Sequence, residues 1–256
     1  MNVGQSAKVS TKILTQIPFI AIRYSLTMTE TNEPLPEIFI DLSDAYAVKT
    51  PEDSRRLYAA WATSYNETFI AANNYIYPRK VAELFSEHVT RSVNDAVIDI
   101  GCGTGAVGSY LVSIRTDITI DGYDISPEML TQAALTQRFD QTPVYRNLDE
   151  VDLTGVLPKR TYDAMTSAGT FTHWHLGPET FLRLIQIVRQ DGWFVIGINA
   201  EHFEARGFAS AIDGAVDSGK ISRPVIYVVD VYAPGSPHHG DCANVCIFKR
   251  KDETRR

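Results

Sequence analysis

The run Val97-Ile98-Asp99-Ile100-Gly101-Cys102-Gly103-Thr104-Gly105 constrains this chain more than any other feature. An apolar strand meets three alternating glycines and then a helix-forming stretch, Ala106 to Ile114. Glycine is needed where backbone takes a positive φ or approaches a ligand closely. Short apolar runs then recur between helical segments: Ile118 to Tyr123, Val144 to Leu148, Tyr162 to Ser167 and Trp193 to Ile198. Such alternation predicts parallel βαβ units, hence an α/β fold with helices on both faces of a mostly parallel sheet.

Downstream of the glycines, Asp124 ends the next strand, where a carboxylate can accept hydrogen bonds from both hydroxyls of a ribose. The two features together imply an adenosine-containing ligand. Gly101, Gly103 and Ala106 also satisfy the dinucleotide fingerprint, so the glycines suit a nicotinamide cofactor as well as a methyl donor. A turn that packs helix on strand without any ligand is the plainest alternative. Two details favour the methyl donor: Asp99 precedes the loop, where it can help hold an ammonium group, and no separate nicotinamide-substrate domain follows.

Helix signals organise the rest. Leu57, Trp61, Tyr65 and Thr68 recur at about one helical turn and predict a cap helix with an aromatic face. Pro78 opens a second helix that carries Val81, Leu84 and Phe85 inward. Ser126-Pro127-Glu128 supplies an N-cap, a first-position proline and an early carboxylate for a helix through Gln137. Pro178-Glu179 starts another with the stripe Phe181, Leu184, Ile185 and Val188, and Gly192 is expected as its left-handed cap. A helical stretch from Glu201 to Ser218 precedes two β-rich runs, Val225 to Val231 and Asn244 to Phe248, which read as a closing hairpin.

The segments Tyr58 to Tyr65 (YAAWATSY), Ser167 to Pro178 (SAGTFTHWHLGP) and the glycine run, with the strand opening at Gly192, are together similar to class I S-adenosylmethionine-dependent methyltransferases of the small Williams-Beuren-region type and their bacterial relatives. The likeness covers most of Ser54 to Ile198. It implies a Rossmann-like, seven-stranded sheet with an antiparallel final hairpin and an N-terminal helical cap. It also implies S-adenosylmethionine as cofactor, with Asp99, Gly101, Gly103 and Gly105 around its methionine part and Cys102 among the cofactor-binding residues. Asp124 would hold the ribose, Ile125 and Met129 the adenine face, Asp152 and Leu153 the adenine edge; Ser167 completes the expected set. One departure is Gln190-Asp191-Gly192, where relatives carry a proline and a glycine pair.

Methyl transfer from a sulfonium is an in-line displacement, so holding the acceptor in line supplies much of the rate, about 7 to 11 kcal/mol. A general base adds about 10² to 10⁴ where the acceptor must lose a proton. His173 and His175 follow the fourth strand's carboxyl end, where open α/β sheets bind ligands, and are the candidates; a backbone-bonded His173 is the structural alternative. Trp61 and Tyr65 are expected to cover the sulfonium by cation–π attraction, or to be core aromatics.

The chain of 256 residues carries 24 lysines and arginines against 31 acidic residues, a field that repels a phosphate backbone. A small-molecule acceptor, not nucleic acid, is therefore expected. The basic end Lys249, Arg250, Lys251, Arg255 and Arg256 reads as a solvated terminus. Three cysteines, Cys102, Cys242 and Cys246, give neither a disulfide framework nor paired metal spacing, which fits a reducing cytoplasm. Cys242 and Cys246 on one extended strand would stand about 13 Å apart, so no metal is expected with His238 and His239. Cys102 at a helix start is a candidate for a lowered thiol pKa, or simply a small residue at a turn. Ile13 to Tyr24, broken by Gln16, Pro18 and Arg23, is too short to span a bilayer, and no membrane partner is expected. No oligomeric state is read from these residues. The expected organisation is an extension over residues 1–50, its first 27 peripheral and Met28 a candidate start; a helical cap over 51–92; and the transfer domain over 93–256. A nicotinamide-dependent oxidoreductase and a catalytically silent cofactor-binding subunit are the competing functions.

Overall fold

The computed structural model describes residues 40, 42–89, 96–172 and 176–251. All of these lie in one compact unit, Ile38–Arg256. The expected peripheral segment 1–27 and the candidate start at Met28 lie outside the described residues.

Seven strands form one sheet among the described residues: β1 (Ala96–Ile100), β2 (Thr119–Asp124), β3 (Tyr145–Glu150), β4 (Tyr162–Phe171), β5 (Val188–Asn199), β6 (Val225–Asp230) and β7 (Cys242–Lys249). Their spatial order is β3-β2-β1-β4-β5-β7-β6. The first five run parallel, and β7 pairs antiparallel with both β5 and β6. This is the mostly parallel sheet with a final hairpin that the sequence implied. The order reverses between β1 and β4, so the carboxyl ends of these two strands flank a crevice, the usual ligand site of such sheets.

Helices cover both faces. α3 (Tyr77–His88) and α4 (Ala106–Ile114) bury Val81, Phe85 and Leu111 against Val97, Ile120 and Val195. α6 (Pro178–Leu184) and α8 (Phe208–Asp217) bury Phe181, Leu184, Phe208 and Ile212 against Ile98, Ile100, Ile196 and Phe248. Alternate residues of β1 thus enter opposite core layers, as the two-residue period of a strand demands. Each such large apolar side chain contributes about 1.5–3 kcal/mol on burial.

Several boundaries moved for local reasons. The cap helix α2 begins at Pro51, where Thr50 and Asp53 form a capping box, and ends at Trp61. After a turn the chain forms a π-helical segment, Asn66–Ala71, with Ala72 N donating to Glu67 O and Tyr75 N to Ile70 O. This shift turns Phe69 rather than Thr68 inward. α5 (Pro127–Ala133) is capped by Ser126, whose Oγ accepts from Met129 N, but it stops short of Gln137. Thr136 bonds back to Ala133 O, and Gln137 instead bridges to Pro143. The stretch from Glu201 breaks into α7 (Ala200–Ala205) and α8 at a left-handed Gly207. Gly192 is not the expected left-handed cap: Asp191 takes that conformation (φ 59°). Gly192 lies within β5, where a Cβ would come within 2.7 Å of Asp163 O. The short helix α1 (Leu42–Ala47) precedes α2.

Candidate active site

The glycine turn caps the carboxyl end of β1. Gly101, Gly103 and Gly105 take φ of 65°, 53° and 89°, a region that costs other residues about 1–2 kcal/mol. At Gly101 a Cβ would lie 2.0 Å from Thr170 Oγ1, so only glycine fits against β4. Gly101 N and Cys102 N both donate to Tyr123 O, at 2.8 and 3.0 Å. The Ile100 carbonyl accepts from Ser167 Oγ (2.8 Å) and Thr170 Oγ1 (2.9 Å), which locks β4 to the turn.

Asp124 stands at the end of β2, beside the turn. Its Oδ2 accepts from Gly103 N at 2.8 Å and its Oδ1 from Ser126 N at 2.9 Å. Burial raises its pKa above the usual carboxylate range, and the Ser126, Gly103 and Ile125 amides oppose that rise. Two amide bonds leave lone pairs on both oxygens, which fit the vicinal hydroxyls of a ribose.

A cavity of about 260 Å³ opens in front of the turn. Of the expected cofactor residues, Trp61, Tyr65, Gly101, Cys102, Gly103, Asp124, Ile125, Met129, Asp152 and Leu153 line it. A Cβ on Gly103 would meet nothing within 4 Å, so the turn presents bare backbone to open space. That cradle and the adjoining carboxylate are the features an adenosyl ligand requires.

Asp99, Gly105 and Ser167 do not line the cavity. Gly105 is the left-handed residue that starts α4, and Ser167 serves the Ile100 carbonyl. Asp99 is fully buried on the α4 side of β1, where its Oδ2 accepts from Tyr145 Oη at 2.7 Å. Its Oδ1 has no hydrogen-bond partner among the described residues. Burial, aided by the nearby Asp124 charge, raises its pKa to about 7. Cys102 likewise departs from the lowered thiol pKa expected of a helix start. Its side chain is buried beside Asp124 and Asp99, and desolvation pushes its pKa well up.

His173 and His175 lie outside the described residues. Thr172 and Leu176, on either side of them in sequence, line the cavity. A different histidine is fixed nearby: His202, buried, pairs through Nε2 with Leu176 O at 2.9 Å.

The residues that sequence reasoning missed are mostly aromatic. Tyr58, Phe69, Tyr75 and Tyr232 line the cavity with Trp61 and Tyr65. Successive ring centroids stand 5.0 Å apart for Trp61–Tyr65, Tyr65–Phe69 and Phe69–Tyr75, and 5.5 Å apart for Tyr75–Tyr232. Trp61 Nε1 donates to Thr68 Oγ1 at 2.9 Å, which satisfies its polar edge within the cap. Thr104 Oγ1 in the glycine turn donates to Asn66 Oδ1 at 2.7 Å, tying cap to loop. α2 and the π-helical segment thus cover the cavity, whereas α3 packs beside α4. Among the described residues no group of three or more His, Cys, Asp and Glu is placed to hold a metal.

Residues 98–194, the span holding the turn, Asp124 and β4, match a family model described as a methyltransferase domain. This segment is a methyltransferase domain. Solved structures extend the likeness beyond it. A S-adenosylmethionine-dependent methyltransferase from Clostridium acetobutylicum is 14% identical over 76% of this chain and 99% of its own, with a TM-score of 0.53. The plantazolicin methyltransferase BpumL, solved with S-adenosylhomocysteine (SAH), is 11% identical over 77% of this chain and 96% of its own, at 0.51. YjhP from E. coli is 15% identical over 75% and 99%, also at 0.51. At these identities the likeness establishes the fold, that of the class I methyltransferases. No curated protein matches the chain in sequence.

Proposed function

We propose that this methyltransferase moves a methyl group from S-adenosylmethionine to a small-molecule acceptor by in-line displacement. The observation that carries the donor is Asp124, whose carboxylate faces the cavity while bonded to the amide of Gly103. Gly101, Cys102 and Gly103 would hold the methionine part, Asp124 the ribose, and Ile125, Met129, Asp152 and Leu153 the adenine. When bound, the donor supplies an activated methyl on a sulfonium. The protein's own part is to align the acceptor with that methyl and exclude water, and the aromatic wall of Trp61 and Tyr65 suits a positive sulfur.

Asp99, Gly105 and Ser167 act behind the site in this reading, holding the turn rather than touching the ligand. His173 and His175 remain the proposed proton acceptors, supported by the lining residues Thr172 and Leu176 beside them in sequence. The small acceptor is supported by the modest cavity and by the excess of acidic residues, which disfavours nucleic acid. We place residues 1–50 as an extension, 51–92 as the cap and 93–256 as the transfer domain, and the cytoplasm as the compartment. Three free cysteines support the latter. No helix among the described residues is long and apolar enough to cross a membrane.

Calorimetric titration with SAH and with NADH tests the donor. Saturable SAH binding with no NADH binding is expected. Binding of NADH alone would replace this reading with an oxidoreductase, and SAH binding that requires a partner for any turnover would point to a silent subunit.

A further inference from the structure

We propose that the acceptor is an amine, bound as its ammonium ion between the faces of Tyr75 and Tyr232 and the carboxylate of Asp241. The proposal rests on the methyl-transfer reading above and names the chemistry of the same cavity's second end. Three parts of the chain converge there. The Tyr75 and Tyr232 backbones form an antiparallel bridge, and Ile76 N and Tyr77 N both donate to Val231 O. Val231 N in turn donates to Asp241 O at 2.9 Å. The connection that leaves β6 and the one that enters β7 are thus zipped to the start of α3, and all three present lining side chains.

The lining of that end is aromatic and acidic. The Tyr75 and Tyr232 rings are inclined at 51°, with Phe69 5.0 Å from the first and 6.4 Å from the second, and His238 5.4 Å from Tyr232. Electron-rich ring faces attract a cation by about 0.5–2 kcal/mol, more as water is excluded. Asp241 is half-buried, and among the described residues its carboxylate has neither a hydrogen bond nor an ion pair. Asp124 and Asp152 serve the donor's ribose and adenine in the reading above, so Asp241 is the acidic lining residue left for the acceptor. Lys49, the cation among the described lining residues, is exposed and comes from the α1–α2 connection. Burial raises the Tyr65 and Tyr75 hydroxyl pKa values well above the phenol range, so these rings stay neutral and keep no proton-accepting role. A carboxylate or phosphate acceptor would be repelled by Asp241 and by the ring faces at this end of the cavity.

The step balances with these groups. Asp241 holds the ammonium of a primary or secondary amine by its charge; the nitrogen gives one proton, by way of water, to the proton acceptor proposed above, and the freed lone pair forms the N–C bond. The electron pair of the breaking S–C bond returns to sulfur, leaving a neutral thioether, and the positive charge passes to the methylated nitrogen. That acceptor then sheds the proton to water at the cavity mouth.

The test titrates the full chain, saturated with SAH, with N,N-dimethylphenethylamine, 2-phenylethanol and phenylacetate, read by calorimetry. The amine should bind about tenfold tighter than the alcohol, and phenylacetate weakest. Asp241→Asn should bring amine and alcohol to within about threefold while SAH affinity is unchanged, and Tyr232→Leu should weaken the amine most. The proposal is overturned if the alcohol or phenylacetate binds as well as the amine, if the amine fails to bind at millimolar concentration, or if Asp241→Asn keeps the amine's advantage. SAH binding by the unaltered chain is read separately, so loss of the donor reading and loss of the amine reading give different results.

Discussion

The two ends of the cavity are built in different ways. The cradle of the proposed donor end comes from one stretch of chain, in which β1, the glycine turn, β2 and Asp124 lie within Ala96–Asp124. Its fit depends on backbone: positive φ angles, amides and one carboxylate. The proposed acceptor end draws Tyr75 from before α3, Tyr232 from after β6 and Asp241 from before β7. Its fit depends on side-chain faces brought together by the sheet. A backbone cradle tolerates almost no substitution, whereas an aromatic wall can be reshaped one side chain at a time.

The largest effect that would expose this contrast is at Gly101. Gly101→Val should abolish cooperative folding or cost more than about 3 kcal/mol in urea unfolding, because its Cβ would overlap the Thr170 side chain. Gly103→Ala, with nothing within 4 Å, should fold with a loss of about 1 kcal/mol yet bind SAH far more weakly. If Gly103→Ala bound SAH normally, the turn would not be the donor's cradle.

Next in size is a pH effect from Asp99. Its pKa is about 7 in the folded chain against 3.8 for an ordinary aspartate, so between those values the folded state holds a proton that the unfolded state releases. Unfolding free energy should therefore fall by a few kcal/mol as pH rises from about 4 to about 7, and level off above. Asp99→Asn should flatten that slope in denaturant titrations, with SAH affinity changed less than about threefold. A large affinity loss would return Asp99 to the ligand.

Asp124→Asn should weaken SAH binding by about 1.5–3 kcal/mol, since it removes charge from hydrogen bonds to the ribose, and should cost about 1–3 kcal/mol of stability, since its amide nitrogen cannot accept from both Gly103 N and Ser126 N. The smallest effect tests the link between cap and turn. Asn66→Ala removes the acceptor of the Thr104 hydroxyl and should cost about 1 kcal/mol of stability, with Asn66→Asp restoring most of it. If Asn66→Ala changed nothing in stability or SAH affinity, cap and turn would be independent parts.

Legibility in the sequence followed the same division. Pro127 with Ser126 announced α5, and alternating apolar runs announced five parallel strands, because these signals act within a few residues of chain. The Tyr58, Trp61, Tyr65 and Phe69 wall was half legible: the helical period found Trp61 and Tyr65, but the π-helical segment replaced Thr68 with Phe69. Thr50 and Asp53 formed a capping box that would have placed the start of α2 correctly. Tyr75 and Asp241 carried no local signal at all.

What the sequence determined alone is the turn and its neighbouring carboxylate: glycines at two-residue spacing after an apolar strand, and an aspartate at the end of the next, leave the backbone few other shapes. What only the tertiary structure decided is the partnership of Tyr75, Tyr232 and Asp241, and the burial of Asp99 away from the cavity. Neighbours across a sheet are set by strand order and register, which are long-range outcomes of packing, and residues more than 150 positions apart in the chain have no local physics in common until that packing exists.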